Sequence, residues 1–204
     1  ASEKKKRFIV MYGQAEATAR MAYLPAERSL EKYGSMGIAI PGGRLELIDV
    51  NGNVIEEADT VGELVYYGKN VTLGYAQKGE DLVLGDERNG RLITGDMAKR
   101  DTDGFYYIVG RKKRFLKIFG NRVNLDETER MLKTHFPEND VACAGVDDKM
   151  YIFVTEDLDE AELRKYLSEK TGLHISAFCV KRIEEIPKND AGKTLYKALE
   201  QYYK

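Results

Sequence analysis

Four short segments of this 204-residue sequence carry residue types and spacings that could do chemistry. Tyr12-Gly13-Gln14-Ala15-Glu16 sets an aromatic ring, a flexible glycine and a carboxylate close together. A tyrosine ring can stack on a nucleobase, and Glu16 could hold a hard cation such as Mg2+, which takes oxygen ligands beside substrate phosphates. The same residues would also serve as a plain strand-to-helix turn, with a first-turn glutamate favoured by the helix dipole. Thr94-Gly95-Asp96 puts a carboxylate at an expected tight turn between strands. There it could accept hydrogen bonds from two neighbouring ribose hydroxyls, or be an ordinary polar turn. Gly110-Arg111 offers a guanidinium suited to ribose or phosphate, or a solvated basic loop. Pro187-Lys188-Asn189-Asp190-Ala191-Gly192-Lys193 ends in a lysine on a Gly-containing loop ahead of an expected helix. Such a lysine could offset charge developing between a carboxylate and a phosphate, or simply face solvent.

These segments need elements to position them. In the first half, residues 44–50 run into Asn51-Gly52, a dipeptide that favours a tight hairpin turn, and Val54-Ile55 continue on the return side. Residues 62–68, 91–94 and 105–109 read as further strands, the last two flanking a second hairpin signal at Asp103-Gly104. Short strands at this spacing predict a small distorted β-barrel or sandwich, preceded by a helix over 15–24 that stops at Pro25. After the basic run Arg111-Lys112-Lys113-Arg114 the pattern becomes mixed. Helices are expected over 126–136, from Asp159 to the stop at Gly172, and over 194–203, with strands over 115–119, 141–146, 150–155 and 177–183. The fold class is therefore α+β, with a barrel subdomain over 1–110, a boundary at 111–114 and a compact α+β module over 115–204.

Composition narrows the functions. Lys plus Arg number 32 and Asp plus Glu 34, a near-balance that argues against a dedicated nucleic-acid binder. Cys143 and Cys179 are too few for a disulfide framework or a four-cysteine zinc site, and they read as reduced core residues. His135 and His174 lack metal-ligand spacing. No apolar run approaches the roughly 18 residues of a membrane helix, and the basic start at residues 3–7 is not followed by the apolar stretch of a secretory signal. Cytoplasm is the expected location.

In this order the segments resemble the adenylate-forming superfamily of acyl- and aryl-CoA synthetases, peptide-synthetase adenylation domains and firefly luciferase. Its fifth core motif resembles Tyr12 through Glu16, and its seventh Gly62-Glu63-Leu64 through Gly74-Tyr75. The eighth resembles Thr94-Gly95-Asp96, Asp103-Gly104, Gly110 through Lys113, Gly120 through Val123 and Glu127-Thr128-Glu129, and the tenth Pro187 through Lys193. The wording around Tyr12 is most like bacterial acyl-CoA ligases. The resemblance implies an acid–thiol ligase using ATP, Mg2+ and coenzyme A, with fatty acid metabolism as the expected setting. It implies that Tyr12 stacks on adenine in a nucleotide site shared with Gly13, Gln14 and Ala15. Glu16 would bind Mg2+, Asp96 the ribose hydroxyls, and Arg111 ribose or phosphate. Lys113 would be the hinge, Gly120 would line the pantetheine tunnel, and Lys193 would polarise the carboxylate and α-phosphate. The C-terminal module would act as a lid turning about the hinge between two half-reactions.

Three departures qualify this. Ala15 stands where the family usually has a threonine, and Tyr196 where a terminal-motif arginine is frequent. Nothing in the sequence matches the Gly/Ser/Thr-rich phosphate loop or the segment lining the acyl pocket, both upstream of the fifth motif in that family. The expectation is the C-terminal part of an acyl-CoA ligase, needing its missing N-terminal region for activity. The alternatives are a natural split subunit or pseudoenzyme that binds a partner, or a ligase that loads the phosphopantetheine of a carrier protein.

Overall fold

The structure is a computed structural model and describes residues 6–203. The reading of residues 3–5 as part of a basic start lies outside the described residues. The chain forms two compact units, one ending at Lys112 and the other beginning at Lys113.

In the first unit, β1 (Val10–Tyr12), β2 (Ala22–Leu24) and β3 (Ile38–Ala39) form a small antiparallel sheet. A second sheet holds β4 (Arg44–Ile48), β5 (Gly62–Tyr67), β6 (Arg91–Arg100) and β7 (Tyr106–Arg111), all antiparallel and in sequence order. Leu45, Leu47, Leu64, Tyr66, Leu92 and Ala98 bury together with Met21 and Met36. This alternation of inward apolar residues is the period-2 pattern of half-buried strands. Both hairpin signals are present. Gly52 and Gly104 adopt φ of +86° and +82°, and Asp49 and Asp101 accept backbone N–H groups across their turns.

Three expectations fail here. The strands make two open sheets, and among the described residues there is no closed barrel. Residues 15–24 do not form a helix. A 3-10 turn at Ala15–Ala17 gives way to Thr18 and Ala19 at positive φ, and the chain reverses into β2. Good helix formers are overridden because pairing of Met11 with Tyr23 buries Ala17, Met21, Ala22 and Leu24 more completely than one helical stripe would. Thr94-Gly95-Asp96 lies inside β6, not at a turn between strands, with Gly95 at φ +71° kinking the strand.

The second unit begins with the hairpin β8 (Phe115–Ile118) and β9 (Asn121–Asn124), followed by α1 (Leu125–His135). Then come β10 (Val141–Val146), β11 (Lys149–Val154), α2 (Glu160–Thr171) and β12 (Phe178–Arg182). β10 and β11 are antiparallel, and β12 joins β11 in parallel after the α2 crossover. Asn124 caps α1 and Asp159 caps α2 through backbone N–H bonds, and Gly172 ends α2 at φ +71°. One sheet face packs Cys143, Met150 and Ile152 on Leu132, Leu163 and Leu167. The other packs Ala142, Ala144, Tyr151 and Phe153 on Ile186, Leu199 and Tyr203. The last segment is a 3-10 helix over Tyr196–Tyr202 rather than the expected α-helix. Cys143 is buried and Cys179 half-buried, both free. Among the described residues no helix is long and apolar enough to cross a membrane.

The reversal after β1 depends on Gly13, where an added Cβ would fall 1.9 Å from the Ala19 carbonyl oxygen. Gly13→Ala is expected to destabilise the first unit by about 1–3 kcal/mol, as overpacking does. Urea denaturation with Tyr fluorescence checks this, and an unchanged midpoint would contradict the close approach.

Candidate functional site

The first unit brings three of the four segments to one place. Asp96 is 3% exposed, and each of its carboxylate oxygens is engaged. The Tyr12 hydroxyl donates to Oδ2 at 2.5 Å and Gln14 Nε2 donates to the same oxygen at 3.0 Å. Arg111 Nε approaches Oδ1 at 2.8 Å. Strand register explains the geometry, because Asp96 in β6 stands opposite Arg111 in β7. Gln14 also donates to the Thr94 carbonyl at 3.0 Å, tying the turn after β1 to β6. Thr94 Oγ1 donates to the Leu64 carbonyl and accepts the Asp96 N–H, fixing the kinked strand from within. Burial, reinforced by the bond to Asp96, holds the Tyr12 phenol well above the ordinary tyrosine range.

Glu16 lies beside this cluster. Its Oε1 accepts the Tyr75 hydroxyl at 2.6 Å, and that bond holds its carboxyl below the usual carboxylate range. The Arg88 guanidinium sits 4.5 Å from the Tyr75 ring centroid and donates to the Thr72 hydroxyl. Gly13, Gln14, Ala15, Glu16, Tyr75, Thr94 and Arg111 line an open polar depression of about 350 Å3. Ala15 presents a methyl group there. Among the described residues no group of three or more His, Cys, Asp or Glu side chains could enclose a metal ion. A cation at Glu16 would therefore be held by this one ionised carboxylate and by a ligand's own oxygens, the arrangement Mg2+ favours.

The second unit carries the other candidates. Lys193 is exposed at the end of a turn in which Asn189 Oδ1 accepts the N–H groups of Ala191 and Lys193, at 3.1 and 2.9 Å. Gly120 occupies the β8–β9 turn at φ +85°. The adjacent Phe119 N–H is held by Asp148 Oδ1 at 2.7 Å. Lys113 is exposed, between Lys112, whose ammonium pairs with Glu63 at 2.7 Å, and Arg114, which is buried.

Sequence reasoning assigned no role to Tyr75, Arg88, Arg114, Glu129 or Tyr196. Tyr75 closes the Gly62–Tyr75 motif and Glu129 closes the eighth, so each had a signal. Arg114 looked like one more member of a basic run, and nothing in its type announces burial.

A family model described as AMP-binding enzyme matches residues 2–76. The 2-succinylbenzoate--CoA ligase of Geobacillus kaustophilus is 32% identical over 200 residues, covering 93% of this chain and 40% of that protein. The 4-coumarate--CoA ligase-like 4 of Oryza sativa subsp. japonica is 29% identical over 197 residues, covering 92% of this chain and 36% of that protein. Among solved structures, the Bacillus subtilis O-succinylbenzoate coenzyme A synthetase in complex with AMP superposes with a TM-score of 0.72 at 26% identity. It covers all of this chain, which matches 43% of its own length. The same enzyme with ATP and magnesium ion gives 0.73 at 25% identity, covering 98% of this chain and 42% of its own. The chain is similar to AMP-binding, adenylate-forming enzymes, and it spans about two fifths of the length of the curated relatives it matches.

The Tyr12 bond has a consequence at high pH. A phenol whose folded pKa is raised favours the fold below its unfolded value of 10.0 and loses that contribution as pH climbs above it. Tyr12→Phe should cost about 1.5–3 kcal/mol at pH 7, where a bond to a charged group is lost. It should also flatten the fall in stability above pH 10, measured by denaturation across pH. An equally steep fall in the variant would show that Tyr12 is not the titrating group.

Proposed function

We propose that this chain is the C-terminal part of an ATP-dependent acid–thiol ligase that forms an acyl adenylate and passes the acyl group to coenzyme A. The observation that carries this reading is the convergence of Tyr12, Gln14, Asp96 and Arg111 beside Glu16 around one polar depression. It is supported by the relatives, which by name are CoA ligases, and by solved neighbours bound to AMP or to ATP and magnesium.

In this reading Asp96 accepts the ribose hydroxyls, with Tyr12 and Gln14 keeping its oxygens aligned. Tyr12 offers its ring to adenine, and Arg111 exchanges part of its contact with Asp96 for ribose or phosphate. Mg2+ held at Glu16 would neutralise phosphate charge. A substrate carboxylate oxygen attacks the α-phosphorus and pyrophosphate leaves. Lys193 offsets the charge on the carboxylate and α-phosphate as that bond forms. A thiolate then attacks the acyl carbon and AMP leaves, with the Gly120 turn lining the thiol's path. Positioning and charge stabilisation supply the rate.

Lys113 is the proposed hinge. Lys112 is tied to Glu63 in the first unit and Arg114 to Asp126 and Glu129 in the second, so the backbone rotation falls to the exposed residue between them. Ala15 offers no hydroxyl to phosphate, a loss of about 1.5–3 kcal/mol at that contact. The named relatives take 2-succinylbenzoate or are like ligases of 4-coumarate, so the fatty-acyl expectation is not carried forward. Coenzyme A is preferred to a carrier-protein acceptor because the relatives are CoA ligases by name.

The test joins this chain to the upstream portion of a ligase and compares two half-reactions. Lys193→Ala should lower pyrophosphate exchange by about 10²–10³-fold. It should leave thioester formation from supplied acyl adenylate nearly unchanged. Equal losses in both would reject the role. The 204 residues alone should show no exchange at an ordinary enzyme rate, and full exchange by them would overturn the reading of a partial site.

A further inference from the structure

The turn that carries Lys193 is exposed and closes on itself. Asn189 N donates to the Lys193 carbonyl, and Leu195 N donates to the Pro187 carbonyl, at 2.9 and 2.8 Å. Gly192 supplies the positive φ of +74°. Such a turn can be internally ordered and still wander relative to the body of its unit. Besides the packing of Ile186 and Leu199 on the sheet, two polar attachments flank it, one at each end. Upstream, Lys188 pairs with Asp140. Downstream, Tyr196 docks on a buried ionic cluster. Its hydroxyl donates to Glu129 Oε2 at 3.1 Å, and the Arg114 guanidinium lies 3.6 Å from its ring centroid.

The cluster itself is anchored on several elements. Arg114 Nε donates to Asp126 Oδ1 at 2.7 Å, Nη1 to the Cys143 carbonyl at 2.7 Å, and Nη2 to Glu129 Oε1 at 2.5 Å. Glu129 Oε1 also accepts the Cys143 N–H at 2.8 Å. The residue preceding β8, the helix α1 and the strand β10 therefore converge on one arginine and one glutamate. Arg114 and Glu129 are 8% exposed each, and neither can lose its partner without leaving a buried charge. The upstream Lys188–Asp140 pair has more than a third of each side chain in solvent, so it is screened and weak. Of the two polar attachments, the downstream one is the stronger.

We propose that Arg114 and Glu129 act through Tyr196 as positioning residues that hold Lys193 in place. Neither touches the reacting groups, and Tyr196 is the link, three positions after Lys193. This rests on the role proposed for Lys193, yet the clamp can be tested apart from it. The positive charge beside Glu129 comes from Arg114, in direct contact with it, and not from position 196. A tyrosine there completes the cluster by stacking and donating.

The test is amide hydrogen exchange by NMR on the 204-residue chain with Tyr196→Phe, Tyr196→Ala and Glu129→Gln. Exchange at the Lys193 amide should quicken about tenfold or more in Tyr196→Ala, which loses both the bond and the stack. Tyr196→Phe, which keeps the ring under Arg114, should fall between it and the parent chain. Exchange at Ile152, in the middle of the sheet, should stay unchanged in Tyr196→Phe, which guards against a general loss of fold. An unchanged Lys193 amide in Tyr196→Ala would overturn the proposal, as would equal acceleration at Lys193 and Ile152 in Tyr196→Phe. A loosened Lys193 turn, together with adenylation indifferent to Lys193→Ala, would uphold the clamp and overturn the functional reading.

Discussion

The first unit is organised around the need to keep one carboxylate buried. Asp96 has 4% of its side chain in contact with solvent, and an ionised group in that position requires donors to replace water. Those donors come from β1 and the turn after it, 84 and 82 positions before Asp96, and from β7, 15 positions after it. That requirement constrains the register of β6 against β7, the reversal at Gly13 and the internal kink at Gly95. Arg111 is mostly exposed and its charge is screened, so Tyr12 and Gln14 carry the greater part of the alignment. In the proposed reading, a carboxylate so aligned before any ligand arrives costs little to reorganise when ribose hydroxyls take up part of the contact that Arg111 makes with it.

The second unit solves the mirror-image problem. There the buried charge is a cation, Arg114, and the partners are carboxylates and a backbone carbonyl. Breaking such a pair from one side costs about 3–5 kcal/mol, which makes the arrangement all-or-none. The same arginine fixes the start of its unit, while Lys112 is fixed to Glu63 at the end of the other. Between Lys112, paired with Glu63, and the buried Arg114 stands Lys113, exposed, where one unit ends and the next begins.

Much of this was legible in the sequence, for local reasons. Asn51-Gly52, Asp103-Gly104 and the Asp159–Gly172 pair are signals whose mechanism is contained in a few residues, and they produced the turns and the helix they imply. The site residues were legible as types, and Tyr12, Gln14, Asp96 and Arg111 do meet. What was not legible depends on distant pairing. Residues 15–24 have helical propensity, but β2 exists because β1 and β3 flank it. Asp96 reads as a turn residue because Thr-Gly-Asp has turn composition, and only the neighbouring strands show that it lies within a ten-residue strand. Arg114 hides in a basic run because burial of an arginine is decided by Glu129 and Tyr196, 15 and 82 positions away.

In the proposed function the Asp96 cluster is a nucleotide-ribose site. A crystal structure of the 204-residue chain soaked with AMP tests it most directly. The expected result is ribose hydroxyls within hydrogen-bond distance of the Asp96 carboxylate, adenine against Tyr12, and Arg111 drawn partly from Asp96 toward the nucleotide. AMP bound elsewhere, with Asp96 still closed by Tyr12, Gln14 and Arg111, would contradict it.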